Sequence, residues 1–247
     1  MKAGLTAIIS ALLLAAACDP GPPRAVNLQV DLAWDAAGAA LAQDMATITS
    51  DTGYVVELDR LAVTTYSVEL MPCDPRPAPK RTTLNIIGTA WAGHQAGHPT
   101  TRTNTTGFEV PLKTATIVME KFAPPDVAYC SAHYLIGRLL DPPPGMDPAD
   151  TTGFSLRLHG RYRKTDGADW TPLSLETAVA HGILVNFPDP KKGVRFKEGD
   201  TVVMTRRLAT MFNGVDFANQ DEAAVTRQIL RQLVAGTAVS WHPASPV

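Results

Sequence analysis

The sequence predicts a mainly β protein, an antiparallel β-sandwich with one C-terminal α-helix. Several segments alternate apolar and polar residues with a period of two, which is typical of strands that bury one face. The chain also contains 20 prolines and 18 glycines, which favour many turns over long helices. Because 45% of its residues are hydrophobic, the chain has enough apolar surface to fill the core of such a sandwich.

The predicted strands follow one another along the whole chain. In the first, residues 26–34, every second residue is apolar, from Val26 to Trp34. Residues 154–162 alternate in the same way, with Arg157, His159 and Arg161 on the polar face. The other predicted strands are residues 54–71, 84–91, 108–112 with 116–119, 129–139 and 201–208.

A helix is predicted near the C-terminus. Asn219 can cap it, Glu222 follows three residues later as in a capping box, and Gly236 can end it. Its apolar residues recur at helical spacing and form one stripe, Val225, Ile229, Leu230, Leu233 and Val234. A second, weaker helical pattern covers residues 36–45.

The first eighteen residues resemble a bacterial lipoprotein signal. An apolar run of residues 5–17, too short to span a bilayer as a helix, ends in three alanines and is followed directly by Cys18. The resemblance implies a signal peptide over residues 1–17, a lipid-anchored tether over 18–25 and a single domain over 26–247. Ala15 stands where the pattern usually has leucine, and ordinary secretion with cleavage before Cys18 is the alternative. Both interpretations predict an exported protein, periplasmic or at the cell surface.

Charge and cysteine content narrow the possible partners. The chain has 22 basic and 24 acidic residues and no basic stripe interleaved with aromatic residues, so we expect no nucleic-acid partner. We expect membrane attachment through the lipid on Cys18.

The remaining pair, Cys73 and Cys130, predicts a disulfide in an oxidising compartment. The alternative is one thiolate metal ligand and one spare thiol.

Three of the six histidines form the candidate metal site. His94 and His98 lie in a glycine- and proline-rich loop after a predicted strand, and His133 lies in a later strand. Imidazole is the usual protein ligand for copper and zinc. The sequence therefore predicts a copper site, with zinc as the alternative, at His94, His98 and His133. Met71 and Met119 are candidate soft ligands for Cu(I), or else core residues.

Trp91 precedes His94 by three residues. With His94 or His98 and the later strand histidine His133, it resembles the secreted copper-binding proteins of the MopE and CorA type from methane-oxidising bacteria. In that family two histidines bind copper beside an oxidised tryptophan, a kynurenine. The resemblance implies that Trp91 is the tryptophan that is oxidised and that a haem peroxidase is the partner that oxidises it.

These observations predict an exported lipoprotein that binds copper for metal capture or delivery. One alternative is a metal-free envelope-binding or structural module with scattered histidines. A second alternative is a blue-copper electron carrier, suggested by the spacing of Cys130 and His133. Nothing in the sequence calls for an enzyme, since it contains no nucleophile elbow, zinc-protease motif or phosphate-binding glycine loop.

Overall fold

The computed structural model describes residues 25–42, 45–73, 107–109, 116–138, 152–167 and 169–244. Within these ranges the chain forms twelve strands, a 3-10 turn at Leu208–Thr210 and one α-helix, α1 (Glu222–Ala235). The strands are β1 (Leu28–Asp35), β2 (Ala39–Ala42), β3 (Met45–Thr49), β4 (Tyr54–Pro72), β5 (Gly107–Glu109), β6 (Thr116–Phe122), β7 (Tyr129–Ile136), β8 (Leu156–Lys164), β9 (Thr171–Thr177), β10 (His181–Asn186), β11 (Thr201–Arg207) and β12 (Thr237–His242).

The strands form two sheets, so the predicted mainly β, sandwich-like fold is confirmed. The smaller sheet has the order β12-β11-β1-β6, and the larger has eight strands arranged around β4. Apolar side chains from both sheets belong to one core; Val30, Leu32, Val56 and Val68 are fully buried in it. In one respect the prediction was too simple: β1 and β11 run parallel, whereas the other described strand pairs are antiparallel. The smaller sheet is therefore mixed.

The 19-residue strand β4 organises the larger sheet. β8 pairs with its first part, from Tyr54 to Val63, and β7 pairs with its last part, from Thr65 to Pro72. At the junction, Thr64 N donates to Ser155 O and Thr64 O accepts from Gly137 N, so β8 and β7 follow each other along one edge of β4. β9 and β10 pair with β8 and β7 in turn. We call β7, β10 and the last part of β4 the β7 half, and β8, β9 and the first part of β4 the β8 half.

α1 has the predicted apolar stripe buried, and it packs against β9, β10 and β11. Its cap was predicted wrongly. Asp221 caps the helix, with its side chain accepting a hydrogen bond from Ala224 N at 2.6 Å, whereas Asn219 Nδ2 donates to Asp216. The helix ends at Gly236 as predicted. Among the described residues no helix is both long and apolar enough to cross a membrane.

The helix predicted over residues 36–45 is also wrong, because Ala39–Ala42 form β2, which pairs antiparallel with β3. β3 pairs with β4 within the larger sheet and places Ala46 and Ile48 in the core. This pairing and burial outweigh the local helical preference. β9, β10 and β12 were not predicted. The strand predicted at residues 84–91 and the signal and tether segments up to residue 24 lie outside the described residues.

Candidate functional site

His133 lies on the outer face of the β7 half. Its neighbours along β7, Ala132 and Tyr134, are fully buried in the core, so alternation along the strand turns the His133 side chain outward. In the strand register His133 lies between Glu69 of β4 and Leu184 of β10. The three residues form one row across the outer face, with His133 and Glu69 half-buried and Leu184 53% exposed.

The imidazole of His133 lies close over the backbone of β10. A Cβ atom at Gly182 would meet His133 Nε2, Leu135 Cδ1 and Tyr134 O, each at 3.1 Å. Glycine at this position leaves the ring the space it occupies. The position of Nε2 therefore depends on the absence of a side chain at residue 182.

Met71 lies on the same outer face and is 36% exposed. Its register partner is Ser131, two residues before His133, so Met71 is a diagonal neighbour of the histidine. Diagonal pairs on one face of a sheet are within reach of long side chains. Met71 is thus available as a ligand and is not a core residue. Met119, the other candidate soft ligand, lies on β6 in the smaller sheet.

The predicted disulfide is confirmed. Cys73 and Cys130 are bonded, with their Cα atoms 4.7 Å apart, and the bond joins the end of β4 to β7 three residues before His133. A sulfur in a disulfide is not available as a thiolate ligand. While this bond is closed, Cys130 therefore cannot be the thiolate ligand of a blue-copper site. Gly193, at φ +66°, packs against this disulfide, and a Cβ atom there would overlap Cys73 Sγ.

The structure places one of the three predicted histidine ligands. His94 and His98, together with Trp91, lie outside the described residues. The segment that carries them begins after Cys73, and the chain is described again at Gly107, which pairs with Thr65 of β4. In the described ranges no three His, Cys, Asp or Glu side chains are grouped so as to hold a metal ion.

A buried polar cluster lies beneath the row that contains His133. Arg206 of β11 is fully buried; its Nη1 donates to the Tyr134 hydroxyl at 3.0 Å, and its guanidinium stacks on the Trp34 ring at 4.2 Å. The same hydroxyl lies 3.1 Å from Thr65 Oγ1 of β4. Burial lowers the pKa of Arg206 to about 9, so this side chain stays charged at neutral pH. These contacts join the two sheets next to His133 and hold β7 in place.

The other described histidines lie on three different strands. His159 on β8 is exposed, as predicted for the polar face of that strand, and its Nδ1 lies 2.7 Å from Asp59 Oδ1. His181 on β10 is half-buried, and His242 on β12 is exposed. None of these three shares the row of Glu69 and Leu184.

The outer face of the β8 half carries cross-strand ion pairs that sequence reasoning did not foresee. Arg157 pairs with Glu176 at 2.7 Å, and Arg161 pairs with Glu57 at 2.6 Å. The Trp170 ring lies under the guanidinium groups of both Arg161 and Arg163, at 4.5 and 4.7 Å. Two shallow clefts of about 430 and 360 Å³ flank His159 on this face. Arg157 and Arg161 are paired with acids and Arg163 Nη1 donates to Gly167 O, so we assign the face no anion-binding role.

A third cleft, of about 560 Å³, lies beside Tyr54 and Lys164 at the start of β4. The Tyr54 hydroxyl donates to Asp216 Oδ1 at 3.0 Å. Hydrogen bonds from Asn219 and then Tyr54 lower the pKa of Asp216, while burial, followed by the Asp216 hydrogen bond, raises the pKa of Tyr54. These bonds tie the segment before α1 to the larger sheet.

No protein-family model matches the chain, and comparisons with curated proteins and with solved structures found no match.

Proposed function

We propose that this protein is an exported lipoprotein, anchored through Cys18, that binds copper through His94, His98 and His133 and serves in copper capture or delivery. The observation that supports this most is the position of His133. It faces outward on the larger sheet, opposite the part of β4 that lies between the points where the segment bearing His94 and His98 departs and returns.

Chain geometry favours this grouping. The segment leaves β4 after Cys73 and returns where Gly107 pairs with Thr65. Glu69, the register partner of His133, lies midway between these two points. Four residues of strand span about 13 Å, so the points where the segment leaves and returns each lie within roughly 15 Å of His133 along β4. His94 is more than twenty residues from Cys73, so chain length does not keep it away from His133.

The surroundings of His133 favour copper over zinc. Soft thioether ligands select Cu(I), and Met71 is exposed on the same face, one diagonal from the histidine. Imidazole suits both metals, so zinc remains the alternative. The resemblance to the MopE and CorA proteins adds a further proposal, that Trp91 is oxidised by a partner haem peroxidase and lies beside the copper.

The experiment is a titration of the exported protein with Cu(I), and separately with Zn(II), against a competing chromophoric chelator. We expect one tight equivalent of Cu(I). His133→Ala should weaken it by more than the roughly 10–100-fold that follows loss of an outer-shell partner, because here a direct ligand is lost. The His94→Ala/His98→Ala variant should behave likewise, and Met71→Leu should weaken Cu(I) binding but spare Zn(II).

His159→Ala is the matched control, since His159 is an exposed strand histidine in the other half of the same sheet. It should leave copper affinity unchanged. If His133→Ala binds Cu(I) as tightly as the unmodified protein does, the assigned site is wrong.

One observation favours the metal-free binding module as a second candidate. Leu184 and Met71 are both exposed apolar side chains on the outer face that carries His133, and the described histidines are scattered over four strands. A chain that binds neither metal tightly, yet loses a partner contact in Leu184→Asp, would support this alternative over the copper site.

A further inference from the structure

We propose that the end of the domain nearest Cys18 is a basic surface that lies against a membrane and binds anionic phospholipid headgroups. This inference rests on the lipid anchor of the proposed function. It specifies which end of the anchored domain faces the membrane, and the lipid anchor alone does not specify this.

The chain enters the domain at this end. Ala25 forms a bridge with Pro125, and Val26 N donates to Pro124 O at 3.0 Å. Ala25 is seven residues from Cys18. Seven residues span at most about 25 Å even when fully extended. An anchor at Cys18 therefore holds this end of the sandwich close to the bilayer.

The connection between β10 and β11 lies at the same end. Asn27 N donates to Glu198 Oε2 at 3.0 Å, and Gly199 N donates to Asn27 O at 3.0 Å. Arg195 Nη1 lies 3.3 Å from Asp126 Oδ1, next to the prolines that bridge the chain start. The residues of this connection are therefore fixed beside the point where the tether enters the domain.

Among the side chains that the structure describes, this end carries more exposed positive than negative charge. Two of its cations are ion-paired, Lys192 with Asp189 at 3.8 Å and Arg195 with Asp126 at 3.3 Å, yet the paired Lys192 and Arg195 side chains remain 86% and 67% exposed. The others form no ion pair with a described residue. The exposed charged side chains described at this end are Lys121, Lys191, Lys192, Arg195 and Lys197 against Asp126, Asp189 and Glu198. Within the tether, Asp19 and Arg24 offset each other.

Charge complementarity favours an anionic lipid surface as the occupant. Basic residues close to a membrane are attracted to anionic headgroups over about a Debye length, and this attraction is screened by salt. A small excess of positive charge suffices here, because the anchor holds the surface at a high effective concentration near the headgroups. On the outer face of the β8 half, by contrast, Arg157 and Arg161 are each paired with a glutamate.

The test is residue-resolved lysine acetylation, read by mass spectrometry, on the lipidated full chain in vesicles. Phosphatidylcholine vesicles are compared with vesicles that also contain 40% phosphatidylglycerol, a content of roughly the order at which surface potentials become large. We expect acetylation of Lys191, Lys192 and Lys197 to slow about fivefold or more in the anionic vesicles and to recover at high salt. Lys164 is the internal control, since it is exposed and lies at the opposite end of β4 from Pro72. Its rate should not change.

Two charge-reversal variants distinguish binding by this particular surface from an effect of the protein's net charge. In Lys191→Glu/Lys192→Glu the protection of Lys197 should disappear. In Arg227→Glu/Arg231→Glu, which makes the same charge change on exposed residues of α1, it should persist. The proposal is overturned if both variants lose protection equally, if Lys164 is protected as strongly, or if the two vesicle types give the same rates.

The Cys18→Ser chain distinguishes this inference from the proposed anchor. The mass of the purified protein and its flotation with phosphatidylcholine vesicles report whether Cys18 carries lipid. Protection of Lys191 and Lys192 in the Cys18→Ser chain, given excess anionic vesicles, reports the basic surface without the lipid. Salt-sensitive protection in the Cys18→Ser chain supports the basic surface even if the natural protein carries no lipid anchor. If that protection is absent and the acetylation rates of the lipidated chain are also unchanged in anionic vesicles, the basic surface is refuted.

Discussion

Opening the Cys73–Cys130 disulfide should destabilise the domain by an amount that follows from its position in the chain. The two cysteines are 57 residues apart in sequence. On the chain-entropy estimate, a cross-link over a loop of that size stabilises the folded state by about 4 kcal/mol at 25 °C. Both residues are half-buried, so their replacement by serine should add little from lost packing. With an m-value near 3 kcal/mol/M, the urea midpoint should fall by about 1.3 M.

The assay is urea unfolding followed by tryptophan fluorescence, with and without reductant, in a Cys18→Ser background that leaves Cys73 and Cys130 as the two cysteines. Reductant should lower the midpoint of this protein and leave that of Cys73→Ser/Cys130→Ser unchanged. Copper affinity should fall in parallel, because the bond holds β7 three residues before His133.

Two results would refute this reasoning. One is an unchanged midpoint when alkylation shows that both sulfurs have been reduced. The other is an equal effect of reductant on the serine variant, which would mean that the disulfide is not the group being perturbed.

Three further predictions concern the scaffold. Gly193→Ala should cost about 1–3 kcal/mol, since its Cβ would overlap the disulfide; Gly53→Ala, also at positive φ but with no atom within 4 Å, should cost less, and equal urea midpoints would contradict this. Asp221→Ala removes the cap of α1 and should cost roughly 0.5–2 kcal/mol by urea denaturation, whereas Asn219→Ala should not uncap the helix. The pKa of Asp216 is lowered from 3.8, chiefly by Asn219, so its carboxylate stabilises the fold above about pH 4 and this contribution disappears as pH falls through the lowered pKa. Urea midpoints from pH 3 to 7 should therefore differ between Asp216→Asn and the unmodified protein at neutral pH and converge in acid.

Much of the local structure followed from patterns within single segments. Alternation over residues 26–34 identified β1, whose Val30 and Leu32 are fully buried. The apolar stripe of α1 was read from helical spacing in the same way. The segment of residues 36–45 shows where this reasoning fails, because a short alanine-rich stretch is compatible with a helix until β3 pairs with β4.

The candidate site likewise combines a feature that the sequence predicts with neighbours that only strand pairing decides. The outward direction of His133 is set by its place between the core residues Ala132 and Tyr134, and strand periodicity suffices to predict it. Its neighbours Glu69 and Leu184 come from two other strands far away in the sequence. A shift of one residue in the register of β4 would replace Glu69, and a shift in the register of β10 would replace Leu184. The contact of His159 Nδ1 with Asp59 Oδ1 also depends on register, together with the irregularity that the pairing of β4 with β8 shows at this point.

By itself, then, the sequence determined the β-rich class, the C-terminal helix and the pairing of Cys73 with Cys130, because side-chain periodicity and cysteine number are properties of the chain alone. The tertiary structure decided that β1 lies parallel to β11, that β7 and β8 share one edge of β4, and that Met71 is exposed beside His133. Strand partners are selected by burial and hydrogen bonding between segments far apart in the chain. No pattern within one segment records that choice.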